Sequence, residues 1–289
     1  MRNRTHWFSF LIVALVSCIH SAAFGKASVN FELPQFRELV SPISTPIKLE
    51  YKPATVEFNS LTTTLEKGKK TLISTEGRYT VSEMGQLLLW NLEIVSVKTG
   101  NRKVSPELPI IKGRLLTEKN GKTKEIELTY PALEQQVGDV PKWGTKEFHS
   151  LVAGWSYSFF TVLPEKPIRT GDTLYSVPVR ECIPENQRDW LAALTKFEPA
   201  EPARSKDLRW KTTLKGWADY EGKRVLVGEI DESTVLKRRD GIGNLTIKIK
   251  GYTLLDAETF QPLKGETLLS FPQKGDDVMV HGIFCAKIK

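Results

Sequence analysis

Histidine and cysteine, on which most metal and nucleophile sites depend, are scarce in this chain of 289 residues. Its four histidines form neither an HExxH motif nor a close His/Asp spacing of the kind found in zinc sites. A Gly-x-Ser-x-Gly elbow and a Gly-x-x-x-x-Gly-Lys phosphate loop are also absent. We therefore predict no metal and no cofactor, and favour a non-catalytic protein over an enzyme.

Positive charge is in modest excess and is spread along the chain. The formal net charge of +7 falls to +5 once Arg2 and Arg4 are removed with the N-terminal segment described below. The longest basic cluster, Lys237–Arg239, is typical of a solvated turn. Without a basic stripe or motif we expect no nucleic-acid partner. Membrane headgroups and acidic polysaccharides suit the weak attraction that such a surface exerts.

The N-terminus has the composition of a secretory signal. A short basic stretch, Met1–Arg4, is followed by an apolar run from Trp7 to Val16. That run has about half of the roughly 20 residues that a helix needs to cross a bilayer core. We therefore predict a signal peptide over residues 1–25 and an exported protein, periplasmic or extracellular.

Two ways of processing this signal stay open. Small residues at 21–25 suit ordinary cleavage, which would give a soluble protein that starts at Phe24 or Lys26. Leu15–Cys18 is instead similar to a bacterial lipobox, in which Cys18 receives lipid and becomes the first mature residue. The membrane is a partner only in the second alternative, through the lipid at Cys18.

The other two cysteines predict a disulfide bond. In an oxidising compartment Cys182 and Cys285 are expected to pair. The bond would close a loop of about 100 residues, which the chain-entropy model values at about 4 to 5 kcal/mol. Two buried thiols are the alternative.

Alternation of apolar and polar residues with a period of two dominates the chain after the signal. It is clear in Leu88–Ile94, Ile126–Tyr130 and Leu245–Ile249. Turn residues separate such segments, as at Lys119–Lys122 and Tyr220–Lys223. The sequence therefore predicts a mainly β fold, a curved antiparallel sheet with one face exposed to water.

One segment has a different period. Residues 185–197 place Trp190, Leu194 and Phe197 on one helical stripe, with acidic residues early and a lysine late. This arrangement predicts one amphipathic helix, interposed between the strands.

A proline-rich segment after this helix predicts a division of the chain. Residues 198–204 contain two prolines, which neither a helix nor a central strand would tolerate. We take them as the linker between a first β half, residues 26–198, and a second β half, residues 199–289. The halves are predicted to be related, because Gly113–Pro131 and Gly251–Pro272 share the order strand, turn, strand, aromatic-proline.

The stretch Trp155–Leu163 is apolar on both faces of a predicted strand. Such a strand is either a central core strand or the wall of an apolar groove. In the second interpretation the ligand contacts would come from aromatic side chains, because binding cavities are mostly apolar. These candidate ligand-binding residues are Trp155, Tyr157, Phe159 and Phe160.

The segment that follows, Pro164–Asp172, has the pattern Pro-x-x-Pro-Ile-x-x-Gly-Asp. It resembles a turn found in uncharacterised, β-rich exported bacterial proteins, some of them lipoproteins. The resemblance implies a fold more than an activity, since a fold does not fix a function.

Two functions follow as expectations. The first is a non-catalytic envelope protein that binds an apolar or lipid-like ligand, since curved sheets that close over a helix can leave an apolar cavity. The second is an interaction or scaffolding module that engages another envelope protein or a polysaccharide through an exposed sheet face or edge.

Overall fold

The computed structural model describes residues 40–66, 69–99, 102–104, 107–129, 131, 161–178, 197–199, 209–238, 244–273 and 276–289. Within these residues the chain forms thirteen strands of one antiparallel sheet. The strands are β1 (Ala54–Glu66), β2 (Lys69–Met84), β3 (Leu87–Thr99), β4 (Arg102–Val104), β5 (Ile111–Glu118), β6 (Thr123–Thr129), β7 (Thr173–Pro178), β8 (Phe197–Pro199), β9 (Arg209–Tyr220), β10 (Lys223–Arg238), β11 (Asn244–Asp256), β12 (Pro262–Gln273) and β13 (Asp276–Ile288). The predicted mainly β fold is confirmed.

The two ends of the described chain meet in the middle of the sheet. Neighbouring strands follow the order β6-β5-β3-β2-β1-β13-β12-β11-β10-β9-β7, with β4 beside β3 and β8 beside β10. Strands β1 and β13 pair from Val56 opposite Ile288 to Leu65 opposite Met279. Because β6 and β7 stand at opposite ends of this order, the sheet is not closed.

Two consecutive residues show that the sheet is strongly curved. The Tyr51 N–H donates to Lys119 O in the β5–β6 turn at 2.8 Å, and the Lys52 N–H donates to Thr259 O in the β11–β12 turn at 3.1 Å. In a flat sheet β5 and β11 would be six strand spacings, about 29 Å, apart. Adjacent Cα atoms are only about 3.8 Å apart. The two turns therefore approach each other, and the sheet has a concave and a convex face.

The concave face is filled by an apolar core in the half nearest these turns, which we call the near half. Residues 40–52 and 161–170 lie over it, and Ile47 and Ile168 form an antiparallel bridge between them. Tyr51 meets Trp90 edge-on at 5.2 Å between ring centroids. Large side chains with almost no exposure in this core are Leu49, Tyr51, Tyr79, Leu88, Trp90, Leu163, Leu174, Leu214 and Leu226.

The β9–β10 hairpin follows the predicted turn chemistry, whereas at Asn120-Gly121 only the glycine has positive φ, 89°. Between β9 and β10, Glu221 and Gly222 both have positive φ, 50° and 75°, as a tight two-residue turn requires. The segments that suggested related halves contain the hairpins β5–β6 and β11–β12. Their common origin stays a prediction.

The predicted helix is wrong at its last residue. Phe197 begins β8 and lies opposite Arg238, and Pro199 of the predicted linker lies opposite Leu236. Main-chain pairing with β10 takes the place of helical hydrogen bonds, and a proline is tolerated at the end of so short a strand. Residues 185–196 lie outside the described part of the chain, so the helix over them stays a prediction.

Candidate functional site

Strand β1 changes the face on which its apolar residues lie. In the near half Val56 and Phe58 are buried on the concave face, and Glu57 is exposed on the convex face. Beyond Asn59 the arrangement reverses, with hydroxyl groups on the concave face and leucines on the convex face: Ser60, Thr62, Thr64, Leu61 and Leu65. Pairing with both neighbouring strands continues without a break, so this reversal is not a register slip.

The concave face of the other half, the far half, has a half-buried zone on its four central strands. Two rows in register across β2, β1, β13 and β12 form what we call the concave trough: Ile73, Thr62, Gly282 and Thr267, then Thr71, Thr64, Val280 and Leu269. All of these residues are half-buried, whereas Phe58 and Phe284 on the same face are buried in the core. The trough is therefore a half-buried zone between buried residues, since Val278 beyond it on β13 and Ile249 beside it on β11 are 2% and 3% exposed.

The surroundings of Gly282 show how much space the described residues leave above the trough. Among the described residues, a Cβ at Gly282 would have only Thr267 Oγ1 within 4 Å, at 3.2 Å. A Cβ at Gly77 would instead be 2.4 Å from Phe58 Cζ, and one at Gly228 would be 2.6 Å from a methyl carbon of Leu174. Neighbouring side chains therefore fill the glycine sites of the core, whereas the described residues leave the glycine site of the trough open.

A carboxylate lies in the second row of the trough, two strands further along the sheet. Glu232 on β10 is opposite Ile249, which is opposite Leu269. Partial burial raises the pKa of Glu232, and the Lys211 N–H, which donates to its Oε1 at 3.1 Å, opposes the rise. The trough and its flank therefore combine aliphatic, hydroxyl and acidic groups, a set that can bind an amphiphile.

The convex face of the same four strands is apolar. Its side chains, which we call the convex patch, are Leu61, Leu65, Leu72, Leu268, Met279 and Ile283. Leu61 and Leu72 are each 37% exposed. Single exposed leucines are ordinary on a protein surface, but Leu61 and Leu72 are diagonal neighbours on adjacent strands. Half-buried Leu268, Met279 and Ile283 continue the patch across β13 and β12, beside buried Leu65. Apolar residues grouped in this way mark an interaction site.

A polar cluster borders the patch. His281 Nε2 is 2.8 Å from Glu266 Oε1, and the Tyr252 hydroxyl donates to Glu266 Oε2 at 3.1 Å. Burial and the nearby Glu266 carboxylate raise the pKa of Tyr252. A histidine beside a carboxylate is the pairing expected of an enzyme, but it lies on the convex face among the patch leucines. In the described part of the chain no three His, Cys, Asp or Glu side chains are grouped to hold a metal.

Cys285 lies exposed on the convex face of the near half. It lines a groove of about 520 Å³ together with Glu76, Arg78 and Lys287. Cys182 lies outside the described residues, so the disulfide between the two stays a prediction.

The structure reaches the predicted aromatic wall only at its end. Trp155, Tyr157, Phe159 and Phe160 lie outside the described residues, as does Cys18, and their roles stay predictions.

Residues 161–163, predicted to continue that strand, belong to no strand of the described sheet. Leu163 is 1% exposed within the core. Its N–H donates to Asn120 O at 2.8 Å, a single hydrogen bond and not the repeated bonds of a strand pair. Val162 on the other side is 49% exposed. The predicted alternation of faces therefore holds here, although this end packs in the core and does not line the trough.

Comparisons with known proteins add a distant likeness. No family model matches the chain, and no curated protein matches it. A crystal structure of a DUF1329 family protein from Desulfovibrio piger is similar over 82% of this chain and 85% of that one, at 8% identity and a TM-score of 0.25. Because the TM-score is this low, we base no argument on the likeness. In the described part of the chain no helix is long and apolar enough to cross a membrane.

Proposed function

We propose that this chain is an exported, non-catalytic envelope protein that binds a lipid-like ligand in the concave trough. The observation that supports this most directly is the space over Gly282, where the described residues place only the Thr267 hydroxyl within 4 Å of an added Cβ, beside a core whose glycine sites are filled. A folded interior closes such gaps, because protein cores are packed about as densely as organic crystals. An open site next to a packed core therefore suits a ligand better than a further layer of core.

The lining of the trough indicates the chemical class of the ligand. Ile73, Leu269 and Val280 offer aliphatic contacts, while the threonine hydroxyls offer hydrogen bonds on the same two rows. The hydroxyls of Thr62, Thr64 and Thr267 favour a ligand that carries polar groups over a pure hydrocarbon, because a hydroxyl covered by an apolar group loses its water. A ligand with both an acyl chain and polar groups satisfies both kinds of lining.

Replacing Gly282 with leucine tests this function. The new side chain would project from the middle of the trough, between Thr62 and Thr267, into the space that the ligand needs. We expect binding of a fluorescent single-chain phospholipid to weaken at least about tenfold, the equivalent of about 60 Å² of lost apolar contact. The measurement is a fluorescence titration of the processed chain.

Thr80→Leu is the matched control, because it adds a similar apolar group at an exposed position on the opposite face. It should bind the probe like the wild type. Equal binding by the Gly282→Leu variant, with its melting temperature unchanged, would show that the trough is not the ligand site.

The convex patch favours a second candidate function. An interaction module that engages another envelope protein or a polysaccharide needs an exposed sheet face, and Leu61 and Leu72 provide apolar surface on one. This function uses the face opposite the trough, so the two proposals can succeed or fail separately.

A further inference from the structure

The outward leucines of the convex patch differ from other apolar residues of the convex face. Val225, Val227 and Leu254 on that face belong to a buried cluster of the near half, whereas Leu61 and Leu72 are each 37% exposed. The convex patch extends over β2, β1, β13 and β12. Its rows span about 14 Å across the strands and about 14 Å along them. The change of apolar face on β1 places these leucines on the convex face although strand pairing is continuous. Exposed leucines lower the solubility of a protein, so their presence here indicates a surface that binds something.

Exposed lysines flank the patch on both sides. Lys70 lies opposite Leu65 on β2, and Lys98 lies on β3 in the row of Leu61 and Ser74. On the other side, Lys248 and Lys250 lie on β11 opposite Ser270 and Leu268, with their side chains exposed. The resulting surface has an apolar centre between two cationic margins.

Two acidic groups near the patch are held by lysines. Asp231 is 3.5 Å from Lys250, and Glu229 is 3.0 Å from Lys215. Because the charge of Lys250 is offset by Asp231, the positive potential that an approaching surface meets comes mainly from Lys70, Lys98 and Lys248.

We infer that the convex patch docks this protein on the surface of an anionic lipid bilayer. Leucine side chains would enter the headgroup boundary, and the lysine stems would lie along it with their ammonium groups on lipid phosphates. The lysine margins favour an anionic bilayer as the occupant, and the protein or polysaccharide partner of the second candidate function is the competing outcome of the test below. The inference is independent of the ligand in the trough, which lies on the other face.

Photo-crosslinking distinguishes patch contact from any lipid carried at Cys18. A photo-reactive amino acid replaces Leu72 in the full processed chain, and vesicles of phosphatidylglycerol or of phosphatidylcholine are added. The control carries the same amino acid at Met84, an exposed apolar residue at the end of β2 in the near half. We expect lipid adducts at Leu72 with phosphatidylglycerol, few with phosphatidylcholine, fewer at high salt, and few at Met84 with either lipid.

A second variant tests the leucines themselves. Leu61→Ser combined with Leu72→Ser should weaken binding to phosphatidylglycerol vesicles at least about tenfold, and Met84→Ser should leave it unchanged. Equal adducts with both lipids, equal adducts at Leu72 and Met84, or unchanged binding by the double variant would each overturn the inference. So would crosslinking of Leu72 in intact envelopes to a protein or polysaccharide without lipid.

Discussion

Trp90→Ala is expected to lower the free energy of unfolding by about 3 to 5 kcal/mol, the range for removal of a large buried aromatic side chain. Trp90 is 1% exposed, and its ring lies between Tyr51 at 5.2 Å and Tyr79 at 5.6 Å. Its Nε1 donates to Thr117 Oγ1 at 2.8 Å, a bond that the alanine cannot replace. Denaturant titration followed by circular dichroism measures the change.

Trp217→Ala provides the comparison for this prediction. Trp217 is half-buried on β9, and the Arg224 guanidinium lies over its ring at 4.7 Å. Trp217→Ala should lower the free energy of unfolding clearly less than Trp90→Ala does, because a half-exposed ring buries less apolar surface. Equal losses for the two variants would mean that the buried Trp90 ring stabilises the fold no more than a half-exposed ring on the same core does.

Gly77→Ala and Gly282→Ala are expected to differ strongly although they make the same change on the same face. At Gly77 the added methyl would be 2.4 Å from Phe58 Cζ and 2.7 Å from Glu93 O, so a buried ring and a main chain must both move. We expect a loss of about 3 kcal/mol, the upper end of the usual cost of overpacking. At Gly282 the described residues place only the Thr267 hydroxyl near the added methyl, and alanine should be neutral or stabilise by about 0.5 to 1 kcal/mol.

Thermal unfolding of the two variants beside the wild type measures this contrast. A Gly282→Ala chain as unstable as the Gly77→Ala chain would show that the space over Gly282 is filled in the folded protein. That result would remove the structural support for a ligand in the trough, whatever the stability of the rest of the sheet.

The sheet could be predicted because its near half follows a simple rule. Leu88, Trp90, Leu92 and Ile94 alternate with polar or less buried residues, and all four are at most 4% exposed. Turn residues with positive φ at Glu221 and Gly222 fixed the hairpin between β9 and β10 in the same local way. Such features depend on neighbours in sequence, so the sequence displays them directly.

The trough and the patch could not be found in this way. Ser60–Leu65 has hydroxyl residues at its even positions and Leu61, Thr63 and Leu65 at its odd ones, and such a pattern does not say which set faces the core. That choice depends on register with β2 and β13, and β13 is more than 200 residues away along the chain. A usable signal was nevertheless present, since the apolar phase of β1 shifts between Phe58 and Leu61 without a bulge residue.

Phe197 illustrates the opposite limit. Its helical spacing with Trp190 and Leu194 is real, but the main chain of residues 197–199 pairs with β10. Pairing with a strand that is distant in sequence decided the structure of residues 197–199, and the local spacing of side chains does not encode such pairing. The prediction was wrong at Phe197 because it extended the helix to the last apolar residue of the helical stripe.

Mass spectrometry of the processed protein from the envelope of its own host, first native and then denaturing, tests ligand binding most directly. If the concave trough binds a ligand, the wild type should carry extra mass that is lost on denaturation and is missing from the Gly282→Leu variant. A lipid on Cys18 would persist through denaturation and is therefore distinguished from cargo. Ligand binding in the concave trough would be contradicted by a wild-type chain without extra mass in the native spectrum, or by ligand retained in the Gly282→Leu variant.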